Sequence, residues 1–425
     1  MRAPFLYRAY TVLSMILLPF LARSAVNKLR RAGLPAYRAH ERLGNATETR
    51  PEGTLIWFHA ASVGESLSVL ALIARMGAAL PSAHFLITTG TATSAALVAQ
   101  RMPPRCTHQF APLDAPGPLK RFLRHWHPDA ALFVESELWP QMLRRTRATG
   151  AGMALINARL SERSIKAWRK RPQLAAYVLD VFDLILTQND AMAEAMVQMH
   201  APAPHVARGR NLKSFAGPLP QDDDLLFEAR AALGHRPVWI AASTHQGEEQ
   251  TVLQAHQILR KTHPDLVLIL APRHPDRSTE VAGLITKAGM QYTCRSNGDL
   301  PRAEVYLADT LGELGTWYAM GKIVFLGGSL RPIGGHNPFE VAQAGGIVLS
   351  GQHVSNFAET FAAMETAGAA WLVADAADLA THVDRLLCDD HSRAKAIAAS
   401  LRFSQGETGK LDVIAQRLIK ALDLA

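Results

Sequence analysis

The sequence is poor in cysteine, and its three cysteines are widely separated. Cys106, Cys294 and Cys388 form no CxxC pair. Clustered cysteines mark most disulfide frameworks and zinc sites, so neither kind of site is indicated. A chain with so few thiols is typical of a reducing compartment.

The standard nucleotide-binding loops are also missing. The sequence contains no GxGxxG fingerprint and no Walker loop ending in Lys-Ser/Thr, which disfavours NAD-dependent chemistry and ATP hydrolysis. It has no short internal repeat and no low-complexity segment. A composition that is 48% apolar and 19% charged predicts an ordered globular protein, and 425 residues suffice for two or three domains.

The sequence has fewer acidic residues than basic ones, 37 against 45. The formal net charge is +8 and the pI is near 9.5, which favours an anionic partner such as a phosphate-rich substrate or a membrane surface. The basic residues are scattered, and no aromatic-interleaved basic stripe or nucleic-acid-binding motif occurs. The sequence therefore predicts that nucleic acid is not a partner.

One uncharged apolar segment, Ala9–Ala22, lies near the N-terminus. Its fourteen residues fall short of the roughly 20 that span a bilayer easily, although Arg8 and Arg23 could snorkel to the interface. We predict a membrane anchor over 1–30, in preference to a buried core helix or a cleaved signal peptide. Basic residues follow the segment, so the bulk of the protein is expected on the cytoplasmic side.

The rest of the chain alternates short apolar runs with helical patterns, which predicts βαβ units and mostly parallel sheets. A segment rich in turn residues, Gly217–Asp224, divides the pattern into two halves. We therefore predict an N-terminal Rossmann-like domain over 31–216 and a C-terminal one over 217–425, facing a cleft. The fold class is α/β with two doubly wound domains. The predicted strands are 54–58, 85–88, 131–134, 153–156, 184–187, 238–241, 266–270, 305–307, 323–326 and 347–349.

Acidic residues follow two predicted strands in the first half. Glu65 comes at a helix start directly after the first strand, near Ser62 and Gly64. It is a candidate base, although it could equally complement the helix dipole while a serine caps the helix. Glu135 and Glu137 follow another strand and could bind a substrate hydroxyl, or could be solvated acids before a helix that opens at Pro140.

Cations near the same edge suit a phosphate. Arg159 follows a strand, and Lys213 precedes the break between the halves. A guanidinium can bind a phosphate as a fork and an ammonium as a point charge, although either residue could be an ordinary surface cation.

Polar residues also end the strands of the second half. Ser243 and His245 follow one strand, Arg273 and His274 another and Asp309–Leu314 a third. The last strand is followed by Gly327–Ser329, which leads to Gly334–Glu340. Glycines there permit close backbone approach, and Pro338 fits a first helical position with free N–H groups for a phosphate. The pattern predicts a nucleotide site. The three histidines His245, His274 and His336 are interpreted as hydrogen-bonding groups rather than metal ligands.

Four motifs together resemble the lipid A Kdo transferases, which move 3-deoxy-D-manno-oct-2-ulosonic acid (Kdo) from CMP-Kdo to a lipid A precursor. The resemblance covers essentially the whole chain. The motifs are WFHAASVGE at 57–65, ESELWP at 135–140, NARLSERS at 157–164 and GGHNPFE at 334–340.

The resemblance implies a GT-B fold, with the acceptor on the N-terminal domain and the donor on the C-terminal one. It also implies an inverting reaction at the bacterial inner membrane, with no cofactor and no metal. Its catalytic positions match Glu65, Glu135 and Lys213, although Arg210 stands where relatives usually have glycine. Its CMP contacts match Pro272, Arg273, Gly312, Glu313, Leu314, Asn337, Pro338, Phe339 and Glu340.

Two other classes of protein are compatible with the same architecture. A sugar-nucleotide epimerase would need neither anchor nor acceptor, and a non-catalytic glycolipid-binding protein would not need Glu65. The sequence leaves open how many Kdo residues are added in succession.

Overall fold

The computed structural model describes residues 2–209, 211–215, 219–405 and 408–424, without the side chains of Lys213, Ser214, Thr408 and Gly409. The chain forms two compact units. The first unit comprises Met1–Ala216 and Gly409–Ala425, and the second comprises Gly217–Thr408.

The first unit is built on a parallel sheet whose described strands have the order β3-β2-β1-β4-β5-β6-β7. These strands are β1 Leu55–His59, β2 His84–Thr89, β3 Cys106–Phe110, β4 Ala130–Val134, β5 Gly152–Ala158, β6 Leu184–Thr187 and β7 Val206–Arg208.

The second unit repeats this architecture with the order β10-β11-β9-β8-β12-β13-β14. Its described strands are β8 Val238–Thr244, β9 Val267–Pro272, β10 Tyr292–Cys294, β11 Val305–Leu307, β12 Ile323–Leu326, β13 Ile347–Ser350 and β14 Ala370–Leu372.

Helices connect the strands. They are α1 Phe5–Arg31, α2 Ala36–Ala39, α3 Val63–Ala79, α4 Ala92–Gln100, α5 Pro116–Trp126, α6 Pro140–Arg147, α7 Glu162–Arg169, α8 Pro172–Leu179, α9 Asp190–Gln198, α10 Asp223–Leu233, α11 Glu249–Arg260, α12 Ser278–Lys287, α13 Leu314–Met320, α14 Phe339–Gln343, α15 Ala358–Ala367, α16 Ala376–Cys388, α17 Asp390–Gln405 and α18 Thr408–Ala421. Short 3-10 turns include Leu212–Phe215.

Both faces of each sheet are covered, because alternate strand residues point to opposite faces. In β1, Ile56 and Phe58 enter one core while Leu55 and Trp57 enter the core on the other face. The carboxyl ends of the strands remain the open edge, where ligands bind in this class of fold.

The last helix, α18, packs on the first unit although it follows the second in the chain. Leu411, Ile414 and Leu418 are buried in the same core as Ile56 and Phe58. The expected C-terminal domain, 217–425, included this segment, whereas the second unit ends at Thr408. The cause is the apolar face of α18, whose residues join the same core as those of α3 and the strands of the first unit.

Helix α1 extends well beyond the uncharged segment Ala9–Ala22 and covers most of the anchor predicted over 1–30. Its 27 residues extend over about 40 Å, and it is long and apolar enough to cross a membrane. Within the described residues it also lies against the first unit: the Tyr10 hydroxyl donates to Asp114 Oδ2 at 2.7 Å, and the Leu29 side chain is buried. The opposite side exposes large apolar side chains, including Phe5, Ile16 and Phe20.

Candidate active site

Glu65 closes the loop between β1 and α3. Ser62 is the N-cap of α3 and accepts from the Glu65 N–H, while the Glu65 carboxylate accepts from the Ala61 N–H and the Ser62 hydroxyl, both at 2.9 Å. The two residues bond to each other as in a capping box, except that the carboxylate accepts from the N–H of Ala61 rather than from that of the N-cap Ser62. Glu65 therefore has the structural role that the sequence suggested, and its half-buried side chain lies at the open edge of the sheet.

Glu135 and Glu137 diverge because the chain turns as β4 ends. Glu135 has a φ of +54°, which for a non-glycine residue is uncommon and often functional. Its carboxylate accepts from Asn157 Nδ2 at 3.2 Å, while that of Glu137 is 3.1 Å from His59 Nε2. Both residues are buried, so the alternative of solvated acids is wrong.

The three glutamates form an electrostatic group, the carboxylate cluster Glu65, Glu135 and Glu137. Burial raises the pKa of Glu65, and the charges of Glu137 and Glu135 raise it further. Burial also acts to raise the pKa of Glu137, but the hydrogen bond and charge of His59 and the bond from Trp139 bring that pKa below its usual value. The cluster therefore separates a carboxylate that protonates readily from one that remains charged.

Asn157 connects this cluster to the segment that carries Lys213. Its φ is +54° and its side chain is buried. The amide group donates to Glu135 and accepts from the Leu212 N–H at 3.0 Å. The backbone of Lys213 is thereby placed near the carboxylates, while its side chain lies outside the part of the chain that the structure describes.

The other predicted residues of the first unit lie around this loop region. Ser62 and Gly64 are exposed at the start of α3, and Arg159 is half-buried directly after β5. Sequence reasoning placed Asn157 and His59 in motifs without assigning them a role. Their hydrogen bonds to Glu135 and Glu137 join residues far apart in sequence, which no local pattern reveals.

In the second unit, three histidines meet at the carboxyl ends of β8, β9 and β12. The His245 and His336 rings stack with centroids 5.1 Å apart and their Nε2 atoms 2.9 Å apart, and His274 packs edge-on to His245 at 5.6 Å. Burial, followed by the charge of Arg273, lowers the pKa of His336 to about 4. Both rings are therefore expected to be neutral near pH 7, since burial also lowers the pKa of His245.

The buried carboxylate of Glu248 fixes the loops around these histidines, and sequence reasoning missed it. It accepts from four backbone N–H groups, those of His245, Gly328, Ser329 and Leu330, at 2.7–2.9 Å. Gly327 permits this approach, because a Cβ there would lie 2.6 Å from the Ser243 carbonyl oxygen. The available signal was a glutamate four residues after the end of β8, in the stretch THQGE.

Pro272, Arg273 and Ser243 lie beside the same loops. Ser243 is buried with a φ of +56°, and Arg273 donates its backbone N–H to the Thr244 carbonyl while its side chain is exposed. The buried Pro272 ends β9. The exposed guanidinium adjoins neutral imidazoles, an arrangement that can bind an anionic group.

Glu313 forms its own network. Its carboxylate accepts from the Arg295 guanidinium at 2.8 Å and from the Thr310 hydroxyl. Gly312 turns the chain with a φ of +90°, and Leu314 begins α13. The Glu313 carboxylate is thus already paired within the protein.

The segment 337–340 begins the short helix α14. Pro338 is the N-cap rather than the first helical residue, and Phe339 is first. The Asn337 side chain accepts from the Phe339 N–H at 3.2 Å and donates to Glu340 at 3.3 Å. Of the N–H groups expected to be free for a phosphate at this helix start, that of Phe339 is bonded to the Asn337 side chain.

Two parallel-sheet α/β units whose polar residues gather at the carboxyl ends of their strands are the GT-B architecture. A solved glycosyltransferase from Rickettsia africae shares this fold, with a TM-score of 0.59 and 10% identity over 88% of this chain and 100% of that one. A family model for 3-deoxy-D-manno-octulosonic-acid transferase matches residues 37–216.

Two curated relatives cover most of the chain. One is the probable mitochondrial 3-deoxy-D-manno-octulosonic acid transferase of Arabidopsis thaliana, 34% identical over 85% of this chain and 83% of the relative. The other is the Haemophilus influenzae 3-deoxy-D-manno-octulosonic acid transferase, 33% identical over 89% and 88%. The chain belongs to the 3-deoxy-D-manno-octulosonic acid transferase family, and it is a glycosyltransferase.

Proposed function

We propose that the protein transfers Kdo from CMP-Kdo to the 6-hydroxyl of the distal glucosamine of a lipid A precursor, lipid IVA, and releases CMP. The reaction inverts the anomeric centre, occurs once or several times per acceptor, and takes place on the cytoplasmic side of the bacterial inner membrane in lipopolysaccharide biosynthesis. Membership of the transferase family supports this reaction class.

The observation that carries the mechanism is the environment of Glu65. Its pKa is raised by burial and by neighbouring carboxylates, which makes it a better proton acceptor than an exposed glutamate. We assign it as the base that removes the proton of the attacking hydroxyl. Glu135 and Glu137 maintain the negative field around it, and a single inverting displacement needs no covalent nucleophile.

The donor is assigned to the second unit, and Lys213 of the first unit is assigned to the reaction on the family resemblance alone. Negative charge builds on the CMP phosphate as the glycosidic bond breaks, and cationic groups can stabilise it. We assign this role to Arg273 and Lys213, while Ser243, His245 and His274 bind neighbouring polar groups. The remaining CMP contacts are assigned to Pro272, Gly312, Glu313, Leu314, Asn337, Pro338, Phe339 and Glu340.

The acceptor lies in a bilayer, and two features of the first unit suit such a surface. Helix α1 has exposed apolar side chains opposite its docked face. Helix α7 and the residues after it line a groove of about 720 Å³ with Arg163, Lys166, Lys170 and Arg171. Apolar insertion together with basic residues binds anionic membranes, so we propose that α1 and this groove hold the acceptor domain at the membrane.

The test replaces Glu65 by glutamine. Glutamine retains the capping interaction but cannot accept a proton as a base. We expect Glu65→Gln to lose transfer by at least about a hundredfold, the usual contribution of a positioned base, while CMP binding and the melting temperature stay unchanged. Transfer is measured by mass spectrometry of the products from CMP-Kdo and tetra-acylated lipid A precursor.

The control is Glu194→Gln, since Glu194 is an exposed acid of α9 in the same unit and lies outside the groove at α7. It should keep full activity. Wild-type turnover in Glu65→Gln would remove Glu65 from the mechanism, and absence of product from the wild-type protein with these two substrates would overturn the proposed function.

A further inference from the structure

Three different metal-ligating side chains converge in the second unit, at the edge of the sheet opposite the histidines described above. His263 lies between α11 and β9, and Asp384 and Cys388 lie in the last turns of α16. Because each helix runs from the carboxyl edge of the sheet back to the amino edge, these residues meet at the amino edge. The group is therefore separate from the proposed donor site.

The ligand atoms already point at one another. His263 Nε2 is 2.7 Å from Asp384 Oδ1, while Cys388 Sγ is 3.9 Å from that nitrogen and 4.0 Å from that oxygen. Among the described residues, this is the group of three such side chains whose ligand atoms all fall within 4.8 Å of one another.

These separations are close to what tetrahedral zinc requires. Bond lengths of about 2.0 Å to nitrogen, 2.1 Å to oxygen and 2.3 Å to sulfur give ligand–ligand distances of about 3.4 Å for N···O and about 3.6 Å for both sulfur pairs. The sulfur distances need to shorten by only a few tenths of an ångström, and the N···O pair would widen as the metal replaces its hydrogen bond.

The backbone that carries the ligands is rigid. The His263 N–H donates to the Leu259 carbonyl at the end of α11, and its carbonyl accepts from the Leu266 N–H before β9. Asp384 and Cys388 are four residues apart, which places them on one face of α16. Leu259 and Leu386 are buried in the same core, so the two helices are held together independently of any metal.

The three side chains favour some metal ions over others. Imidazole, carboxylate and thiolate together suit Zn²⁺, whereas Mg²⁺ and Ca²⁺ prefer oxygen ligands alone. Cys388 is exposed and the Asp384 side chain is 47% exposed, so a water molecule can complete the coordination. No local sequence pattern indicates this site, because its ligands come from segments 121 residues apart.

We propose that His263, Asp384 and Cys388 bind a divalent cation of the zinc type and fasten the connection between α11 and β9 to α16. The site is structural or regulatory and does not depend on the reaction proposed above. Since the thiol and the imidazole must lose their protons to bind the metal, affinity falls as the pH is lowered.

The test titrates the full chain, stripped with a chelator and kept reduced, with Co²⁺ and then with Zn²⁺ as competitor. We expect one Co²⁺ per chain with a thiolate charge-transfer band, displaced by Zn²⁺, and a higher melting temperature with Zn²⁺. Cys388→Ser should lose the band, and His263→Ala and Asp384→Asn should each weaken Zn²⁺ binding by at least about tenfold.

The matched control is His382→Ala. His382 also pairs with an aspartate of α16, Asp378 at 3.6 Å, but no cysteine is part of that pair. It should bind Zn²⁺ like the wild type. A Co²⁺ spectrum without the thiolate band, or unchanged Zn²⁺ affinity in all three ligand variants, would overturn the proposal. Circular dichroism of each variant separates lost binding from lost folding.

Discussion

At the scale of single residues, the site depends on buried polar groups whose partners are distant in sequence. Asn157 holds Glu135 and the Leu212 backbone, and Glu248 holds two loops through four N–H groups. A buried carboxylate that accepts from several N–H groups holds their backbone segments together. The positions of the candidate catalytic groups thus follow from such contacts more than from their own conformations.

The charge of Glu137 is expected to control the pH at which Glu65 works. Glu65 must be deprotonated to act as a base, and its pKa lies above its usual value, so transfer should fall as the pH drops through that raised pKa. The substitution Glu137→Gln removes one of the charges that raise the pKa of Glu65. We expect the acid limb of the rate profile to move to lower pH.

The measurement is kcat/KM for CMP-Kdo against pH, since this ratio reports the free enzyme. Glu280→Gln, an exposed acid of the second unit, serves as the control with an unshifted limb. A limb that moves to higher pH in Glu137→Gln would contradict the electrostatic account.

Contacts between residues close in sequence could be predicted, whereas contacts between neighbouring strands could not. The capping interaction of Ser62 and Glu65 is local, so the motif revealed both its structural role and its position at the strand end. The left-handed turn at Glu135, the pairing of Glu137 with His59 and the role of Asn157 require knowledge of neighbouring strands. Whether the acids were solvated could not be read from their spacing.

At the scale of elements, helix α1 has two unlike faces. Tyr10 and Leu29 contact the first unit, whereas Ile16 and Phe20 are 64% and 75% exposed. A helix docked along its length is suited to lying in the interface of a bilayer, with its free apolar face among the lipids.

Charges on that face should release the protein from membranes. We expect Ile16→Lys with Phe20→Lys to fold normally, because neither side chain is in the core, and to lose most binding to anionic phospholipid vesicles in sedimentation assays. Phe227→Lys, at an equally exposed phenylalanine of α10, is the control and should bind as the wild type does. Undiminished binding of the double variant would show that α1 does not contact lipid.

Strands were predicted well in the middle of each sheet and poorly at the margins. The four strands absent from the sequence prediction are β3, β7, β10 and β14, which are the edge strands of the two sheets. An edge strand pairs on one side only and is less often a continuous apolar run, and three of these four have three residues each. The central strands are buried on both faces and therefore carry the clear apolar pattern that made them predictable.

At the scale of the whole molecule, α18 makes the stability of the first unit depend on the end of the described chain. Leu418 is fully buried in the core of the first unit, while Val413 on the same helix is 68% exposed. We expect Leu418→Ala to cost about 2–5 kcal/mol of the unfolding free energy of that unit. Val413→Ala should change it by no more than about 0.5 kcal/mol.

Hydrogen exchange of peptides followed by mass spectrometry can separate the two units. Exchange should accelerate in β1 and β4 of Leu418→Ala and remain unchanged in β8 and β12, because α18 packs in the first core. Equal acceleration in both sets of strands would mean that the two units unfold together.

Because α18 packs on the first unit, it also affects the order in which the two units can fold during translation. Every residue of the second unit is translated before Leu411, so its core can form while the nascent chain is still growing. The first unit is translated earlier but is completed only when α18 follows, and until then the gap beside Ile56 and Phe58 exposes an apolar surface that chaperones can bind.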